Sequence, residues 1–256
     1  MNADAHRRSY VLDWLCSYDY LTQFEIHSAR HLRGTGQWFL EDRTFLDWVH
    51  ANGSSTLVLL GGPGAGKTIM SALVINYLGN ASNPKNPVIY FFCDYQRREE
   101  QTLEHFLATL LRQLASLSQE VFSAVEKLHN RLALQSRRLS LGDLQSELRR
   151  AAEKFAGVSI IVDAWDECEA VTRVNYANTL RDSFSCCEVH VLATTRDDHE
   201  VQELFTGHPV VRVQAHVEDL KLYTTKRAAE LVSSMRSDGE LIQDIIEAVV
   251  DACEGV

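Results

Sequence analysis

Gly61-Gly62-Pro63-Gly64-Ala65-Gly66-Lys67-Thr68 fits the spacing G-x-x-x-x-G-K-[ST], the loop that wraps nucleotide phosphates. Glycines at these positions let the backbone turn its N–H groups inward onto phosphate oxygens. A helix starting behind the loop points its positive end at the same anion. The expected phosphate-binding residues are therefore Gly61, Gly62, Pro63, Gly64, Ala65, Gly66, Lys67, Thr68 and Ile69. Lys67 is placed to reach the β- and γ-phosphates, and the Thr68 hydroxyl to hold Mg²⁺. The flanks agree with this chemistry. Thr56-Leu57-Val58-Leu59-Leu60 is a short apolar run that reads as a buried strand, and Ile69 to Ile75 reads as a helix.

Magnesium at such a loop needs a carboxylate from a neighbouring strand end. Val158-Ser159-Ile160-Ile161-Val162 is a third strand that runs into Asp163-Ala164-Trp165-Asp166-Glu167. Asp163, at the strand's end, is expected in the Mg²⁺ shell; the plainer alternative is an acidic cap for the next helix. Asp166 and Glu167 follow, and a carboxylate there can orient and deprotonate the attacking water. The sequence does not choose between them, although Asp166, three residues after the metal aspartate, is slightly better aimed. Either could instead hold a helix terminus or a salt bridge. A fourth strand ends in Thr194-Thr195-Arg196. If it lies between the loop strand and the Asp163 strand, Arg196 stands beside the γ-phosphate, where a fixed guanidinium stabilises a transferring phosphoryl group. The alternative is a structural ion pair.

The remaining elements must position these groups. Val11, Leu12, Trp14 and Leu15 suggest a short helix in a lead-in, and Gly34-Thr35-Gly36 makes a turn. Asp42 is placed to cap a helix bearing Phe45, Leu46, Trp48 and Val49. Val88 to Phe92 reads as the second strand, after a polar connection from Asn80 to Pro87. Leucines from Leu103 to Leu114 recur at helical spacing, a further helix carries Val121 to Leu132, and Ser140 with Asp143 resembles a capping pair that opens another. A helix with Val174, Ala177 and Leu180 precedes the fourth strand, Glu188 to Ala193, and Val210 to Val213 is the fifth. Helices from Leu220 to Met235 and over Leu241 to Val250 end the chain. Alternating strands and helices predict an α/β fold: a three-layer αβα sandwich around a five-stranded, mainly parallel sheet, with a helical C-terminal segment. The expected division is a lead-in and linker over 1–40, a nucleotide-binding domain over 41–213 and the start of a helical subdomain over 214–256. The last helix has a wide apolar stripe and little chain left to cover it. The C-terminus is therefore expected to be a cut inside a longer protein or a surface awaiting a partner.

Composition narrows the function classes. The chain has 256 residues with a formal net charge of −10. A broad electrostatic footprint for nucleic acid is not expected at that charge, and the arginine pairs at 97–98, 137–138 and 149–150 read as solvated faces. The six cysteines form no C-x-x-C and no zinc spacing with histidines, so buried thiols in a reducing compartment are expected. No apolar run reaches the ~18–20 residues that span a bilayer. The expectation is a soluble cytoplasmic protein with no membrane partner.

These residues together resemble a NACHT-type nucleotide-binding module, most closely that of fungal proteins similar to the nephrocystin-like N-terminal domain. The resemblance rests on Arg33-Gly34-Thr35-Gly36-Gln37-Trp38-Phe39, Gly61 to Thr68, Tyr90 to Tyr95, Asp163 to Cys168 and Thr194-Thr195-Arg196, and runs from about Trp14 to Val256. It implies a signal-transduction NTPase that hydrolyses ATP, or GTP since relatives divide on this point. Such a module is closed with diphosphate and self-associates with triphosphate, and turnover in isolation is slow. It also implies effector and repeat domains elsewhere in a longer chain, and roles in non-self recognition and innate immunity. Arg33 and Thr35 lie where relatives often touch the base; a plain structural turn is the alternative. The sequence departs from the family pattern in two places: a winged-helix histidine would fall beyond Val256, and no proline near the base follows Pro209. A non-hydrolysing, nucleotide-gated interaction module is the competing function, and a small-molecule P-loop kinase a more distant one.

Overall fold

The computed structural model describes residues 3–80, 85–197, 199–235 and 248. Five strands form one sheet: β1 (Ser55–Leu60), β2 (Val88–Phe92), β3 (Gly157–Asp163), β4 (Glu188–Thr195) and β5 (Val210–Arg212). Their order is β2-β3-β4-β1-β5, and every pairing is parallel. β4 therefore lies between the loop strand and the Asp163 strand, as the position of Arg196 requires. Leu60 pairs with Thr195 in register, so the loop and the end of β4 leave the sheet side by side.

Helices cover both faces, and side-chain alternation along each strand assigns them. On β1, Val58 and Leu60 enter one core while Leu57 and Leu59 enter the other. On β2, Ile89 and Phe91 alternate with Tyr90 and Phe92 in the same way. Strands buried on both faces read as continuous apolar runs, which is how they were visible in the sequence. The first core is closed by α1 (Ala3–Leu15), α6 (Leu103–Leu117), α7 (Gln119–Leu134), α8 (Leu141–Ala152) and α9 (Ala170–Ser183). The second takes α2 (Tyr20–Arg30), the short helices α3 (Gln37–Leu40) and α4 (Arg43–Val49), and α5 (Lys67–Asn80). α10 (His199–Leu204) and α11 (Val217–Met235) complete the described chain.

Local signals set the helix starts. The Asp42 carboxylate accepts from the N–H groups of Thr44 and Phe45, and Ser140 with Asp143 forms a full reciprocal capping box. Several expectations need correction. α2 and α10 occur where no helix was expected. On α9, Leu180 is buried and Ala177 half-buried as expected, but Val174 is exposed, and Arg173, Tyr176 and Thr179 share the buried face. Of the cysteines, Cys16, Cys93 and Cys168 are buried, but Cys186 is exposed and Cys187 half-buried. Cys253 and, apart from the helical residue 248, the expected helix over Leu241 to Val250 lie outside the described residues. Among the described residues, no helix is long and apolar enough to cross a membrane.

Candidate functional site

The loop between β1 and α5 needs backbone that side chains resist. Gly64 and Gly66 have φ of +77° and +93°, the left-handed region that glycine enters without a Cβ penalty. Gly61 is required for another reason: a Cβ there would sit 2.7 Å from the Val213 carbonyl oxygen. α5 begins at Lys67, which directs its first N–H groups into the loop. Lys67 Nζ donates to the carbonyls of Gly61 (2.8 Å) and Gly62 (2.9 Å). Burial lowers its pKa, and the carboxylates of Asp166 and Asp163 oppose that shift.

Asp163, the last residue of β3, is 2% exposed and accepts three hydroxyls. Thr68 Oγ1 donates to Oδ2 at 2.7 Å. Ser71 and Thr194 donate to Oδ1 at 2.6 and 2.7 Å. Thr194 Oγ1 also accepts the Ala164 N–H at 2.8 Å. Ala164 itself has φ +55°, a left-handed turn that directs the next residues away from the sheet. The oxygens of Thr68 and Asp163 are hard donors on separate elements. At metal–oxygen distances of about 2.1 Å, adjacent positions of an octahedral magnesium shell lie about 3.0 Å apart, so the Thr68–Asp163 pair, at 2.7 Å, is close enough to share such an ion. Among the described residues no group of three or more His, Cys, Asp or Glu could hold a metal by itself. A phosphate-bound magnesium does not need one, because water and phosphate supply most of its ligands.

Beyond Asp163 a short 3₁₀ turn, Trp165–Glu167, presents the two further carboxylates. Asp166 is committed to Arg196: Oδ1 accepts its backbone N–H at 3.0 Å and Oδ2 lies 3.1 Å from Nε. Glu167 accepts the Tyr95 N–H at 3.1 Å and lies 3.5 Å from the Arg196 guanidinium. Burial raises the Glu167 pKa, with the charge of Asp166 adding to the effect.

Lys67, Thr68, Asp166, Glu167, Thr194 and Arg196 border one cavity of about 790 Å³, while Gly61, Gly62 and Asp163 are not on its wall. Its walls include Pro63 to Met70 of the loop and α5, then Ala164, Asp166, Glu167, Thr194 and Arg196. The lead-in supplies His27, Arg30, Leu32 and Thr35, and α11 supplies Asp219, Leu220, Tyr223 and Arg227. Arg33 is exposed and does not line it. The sequence reading missed Ser71, although it sits one helical turn from Thr68 on the same face of α5. It also missed Asp219, whose Oδ2 accepts the Gly36 N–H (2.8 Å) and Trp38 Nε1–H (3.2 Å). That bond joins α11 to the lead-in across 181 or more residues, a distance no local pattern reports. A second cavity of equal volume, between α1 and α6, shares none of these residues.

A parallel sheet with a phosphate loop after β1, the loop strand's neighbour β4, and an acidic end to β3 define the fold of a P-loop NTPase. The chain belongs to the nephrocystin 3, N-terminal family, whose model matches residues 34–196. No curated protein sequence matches it. Among solved structures, Cdc6p from Pyrobaculum aerophilum superposes with a TM-score of 0.51 at 12% identity, over 78% of this chain and 51% of that one. The chain thus spans about half the length of that protein. A Walker-type ATPase of Pyrococcus abyssi gives a TM-score of 0.49 at 17% identity, over 81% of this chain and 60% of the other.

Proposed function

We propose that this chain is a NACHT-type nucleotide switch that binds Mg²⁺ with ATP or GTP and hydrolyses it slowly. The observation that carries the reading is the 2.7 Å contact between Thr68 Oγ1 and Asp163 Oδ2, beneath a glycine loop that opens into a cavity of nucleotide size. Bound magnesium would neutralise phosphate charge and fix the triphosphate tail. The chain's own residues do the rest. Lys67 leaves the Gly61 and Gly62 carbonyls for phosphate oxygens. Ser71 and Thr194 hold the Asp163 carboxylate in one rotamer.

Glu167 fits the role of water-activating base better than Asp166. Both Asp166 oxygens lie within 3.1 Å of Arg196, whereas Glu167 stands 3.5 Å from that guanidinium, and burial raises the Glu167 pKa, which suits a proton acceptor. In this reading Asp166 positions Arg196, which faces the cavity for the γ-phosphate. Thr35 and the α11 side chains line the far end of the cavity, where a base would lie. The switch works in a longer chain with effector and repeat domains, in the cytoplasm, through self-association of the triphosphate form.

The test is phosphate release by the protein and by Lys67→Ala. Rates at least tenfold lower in the variant are expected, and equal rates would remove the assignment. A second reading, nucleotide binding without hydrolysis, predicts intact triphosphate after prolonged single-turnover incubation.

A further inference from the structure

β2 is an edge strand, and among the described residues its open side is met by amide side chains instead of another strand. Gln113 of α6, 3% exposed, accepts the Tyr90 N–H (2.9 Å) and donates to the Tyr90 carbonyl (2.7 Å). Gln101, just before α6 and equally buried, continues the pattern. It donates to the Phe92 carbonyl (3.0 Å) and accepts the Asp94 N–H (2.9 Å). Buried backbone groups at a sheet edge need such partners. Gln101 is held in turn, because its own carbonyl accepts the Tyr176 hydroxyl of α9 at 2.6 Å.

The Gln101 clamp fixes the turn that grips Glu167. Asp94 caps a 3₁₀ turn, Tyr95–Arg97, by accepting the Gln96 N–H. From this turn the Tyr95 N–H donates to Glu167 Oε2 at 3.1 Å, and Arg98 Nε donates to the Glu167 main-chain carbonyl at 2.8 Å. One turn therefore holds Glu167 by side chain and main chain together, and Oε1 is the oxygen left to take a proton. Tyr95, Arg98 and Gln101 do not border the phosphate-loop cavity, whereas Glu167 does. A misplacement of about 1 Å at a reacting group can cost about 10²-fold in rate, so what holds this carboxylate bears on hydrolysis.

We propose that Arg98 and Gln101 are positioning residues for hydrolysis, setting the orientation of the Glu167 carboxylate from outside the cavity. The proposal rests on Glu167 as the base.

The Tyr95 hydrogen bond also favours the ionised carboxylate, as does the charge of Arg196, while burial, Asp166 and Asp94 oppose it. Lys67 and the buried Cys93 thiol are the other titratable groups that act on Glu167. Loosening the turn weakens the Tyr95 bond, so the Glu167 pKa rises and the acid limb of hydrolysis moves to higher pH.

The test is single-turnover phosphate release as a function of pH. In Arg98→Ala and Gln101→Met the plateau rate is expected to fall about tenfold or more, with the acid limb moved up in pH. Nucleotide affinity in calorimetry is expected to stay within about twofold of the parent. Arg98→Lys, which keeps the charge and a donor, is expected to recover most of the rate. Methionine is neutral like glutamine, so a moved limb in Gln101→Met reports the hydrogen bond and not a lost charge. Should Gln101→Met not fold in a thermal melt, the two Arg98 variants decide. A rate lowered together with affinity, at an unmoved limb, would mean a merely structural role and overturn the proposal. Parent rate and limb in folded Arg98→Ala, beside a large loss in Glu167→Gln, would overturn it alone. Undiminished release by Glu167→Gln would remove the base, and the proposal with it.

Discussion

Glu167 is the residue whose surroundings most constrain the chemistry. Burial raises its pKa from the ordinary 4.5, so it holds a proton to higher pH than a solvated glutamate. In the proposed role of base it must be ionised. Hydrolysis is therefore expected to fall as pH drops through this raised value, giving an acid limb above the usual carboxylate range. Glu167→Gln should lower phosphate release about 10²-fold or more and leave nucleotide affinity within a few-fold. The stability consequence has the opposite sense. The folded state binds the Glu167 proton more tightly than the unfolded chain, so this group's contribution declines as pH rises from about 4.5 through the folded pKa. Urea unfolding of the parent and of Glu167→Gln across that window reads the difference. A parent profile whose acid limb matches that of Glu167→Gln would transfer the base role away from this residue. None of this was legible from Asp-Ala-Trp-Asp-Glu-Cys alone. The string places both carboxylates near the glycine loop, but only the contacts of Arg196 and Tyr95 separate their environments.

The elements were legible where burial is two-sided and poorly legible where it is mixed. β1 to β4 appear as mostly apolar runs because both faces are covered, with Ser159 and His190 as interruptions, and the amphipathic helices α6, α7 and α8 show clear leucine spacing. α2 escaped notice because its inner face uses Tyr20, Phe24 and His27 against Tyr90 and Phe92, with an Asn76–Ser28 hydrogen bond, and polar residues carry no hydropathy signal. α9 misled for the converse reason. Its valine at 174 points outward while Arg173 and Tyr176 are buried, the tyrosine stacked on Phe106 at 4.0 Å. Thr194 and Thr195 extend β4 although they are polar, since Thr194 is spent on Asp163 and Ala164. At this scale Gly61→Ala is the informative change. The added Cβ would meet the Val213 carbonyl at 2.7 Å and the Ala65 Cβ at 3.2 Å. Backbone cannot yield as a flexible side chain does, so β5, a three-residue edge strand, must shift off β1. A loss of about 1–3 kcal/mol is expected, read as a lower urea midpoint at unchanged slope. An unchanged midpoint would mean that β5 contributes nothing to holding the loop.

The whole molecule closes its cavity by joining segments from opposite ends of the described chain. Asp219, in the first turn of α11, binds Gly36 and Trp38, and the Trp38 ring stacks on His216 at 4.5 Å and 16°. Gly36 is itself pinned against α5, where a Cβ would come within 2.7 Å of Leu73 Cδ2. The lead-in, the phosphate-loop helix and α11 thus meet at one point beside the cavity. A nucleotide that touches both the loop and α11 draws on this junction, because its affinity depends on the fraction of molecules in which α11 is docked. Asp219→Ala leaves two half-buried N–H groups without their acceptor, a cost of about 1–3 kcal/mol. Nucleotide affinity is expected to fall about five- to tenfold, with the sheet intact by circular dichroism. Parent protein at a hundredfold excess of ligand over Kd should gain about 2.7 kcal/mol in stability, and the variant should need proportionally more ligand for the same gain. Equal affinity in calorimetry for parent and variant would show that α11 covers the cavity without gripping what enters it. A parent melting temperature unmoved by saturating Mg²⁺ and nucleotide would go further, and remove the ligand from the phosphate loop altogether.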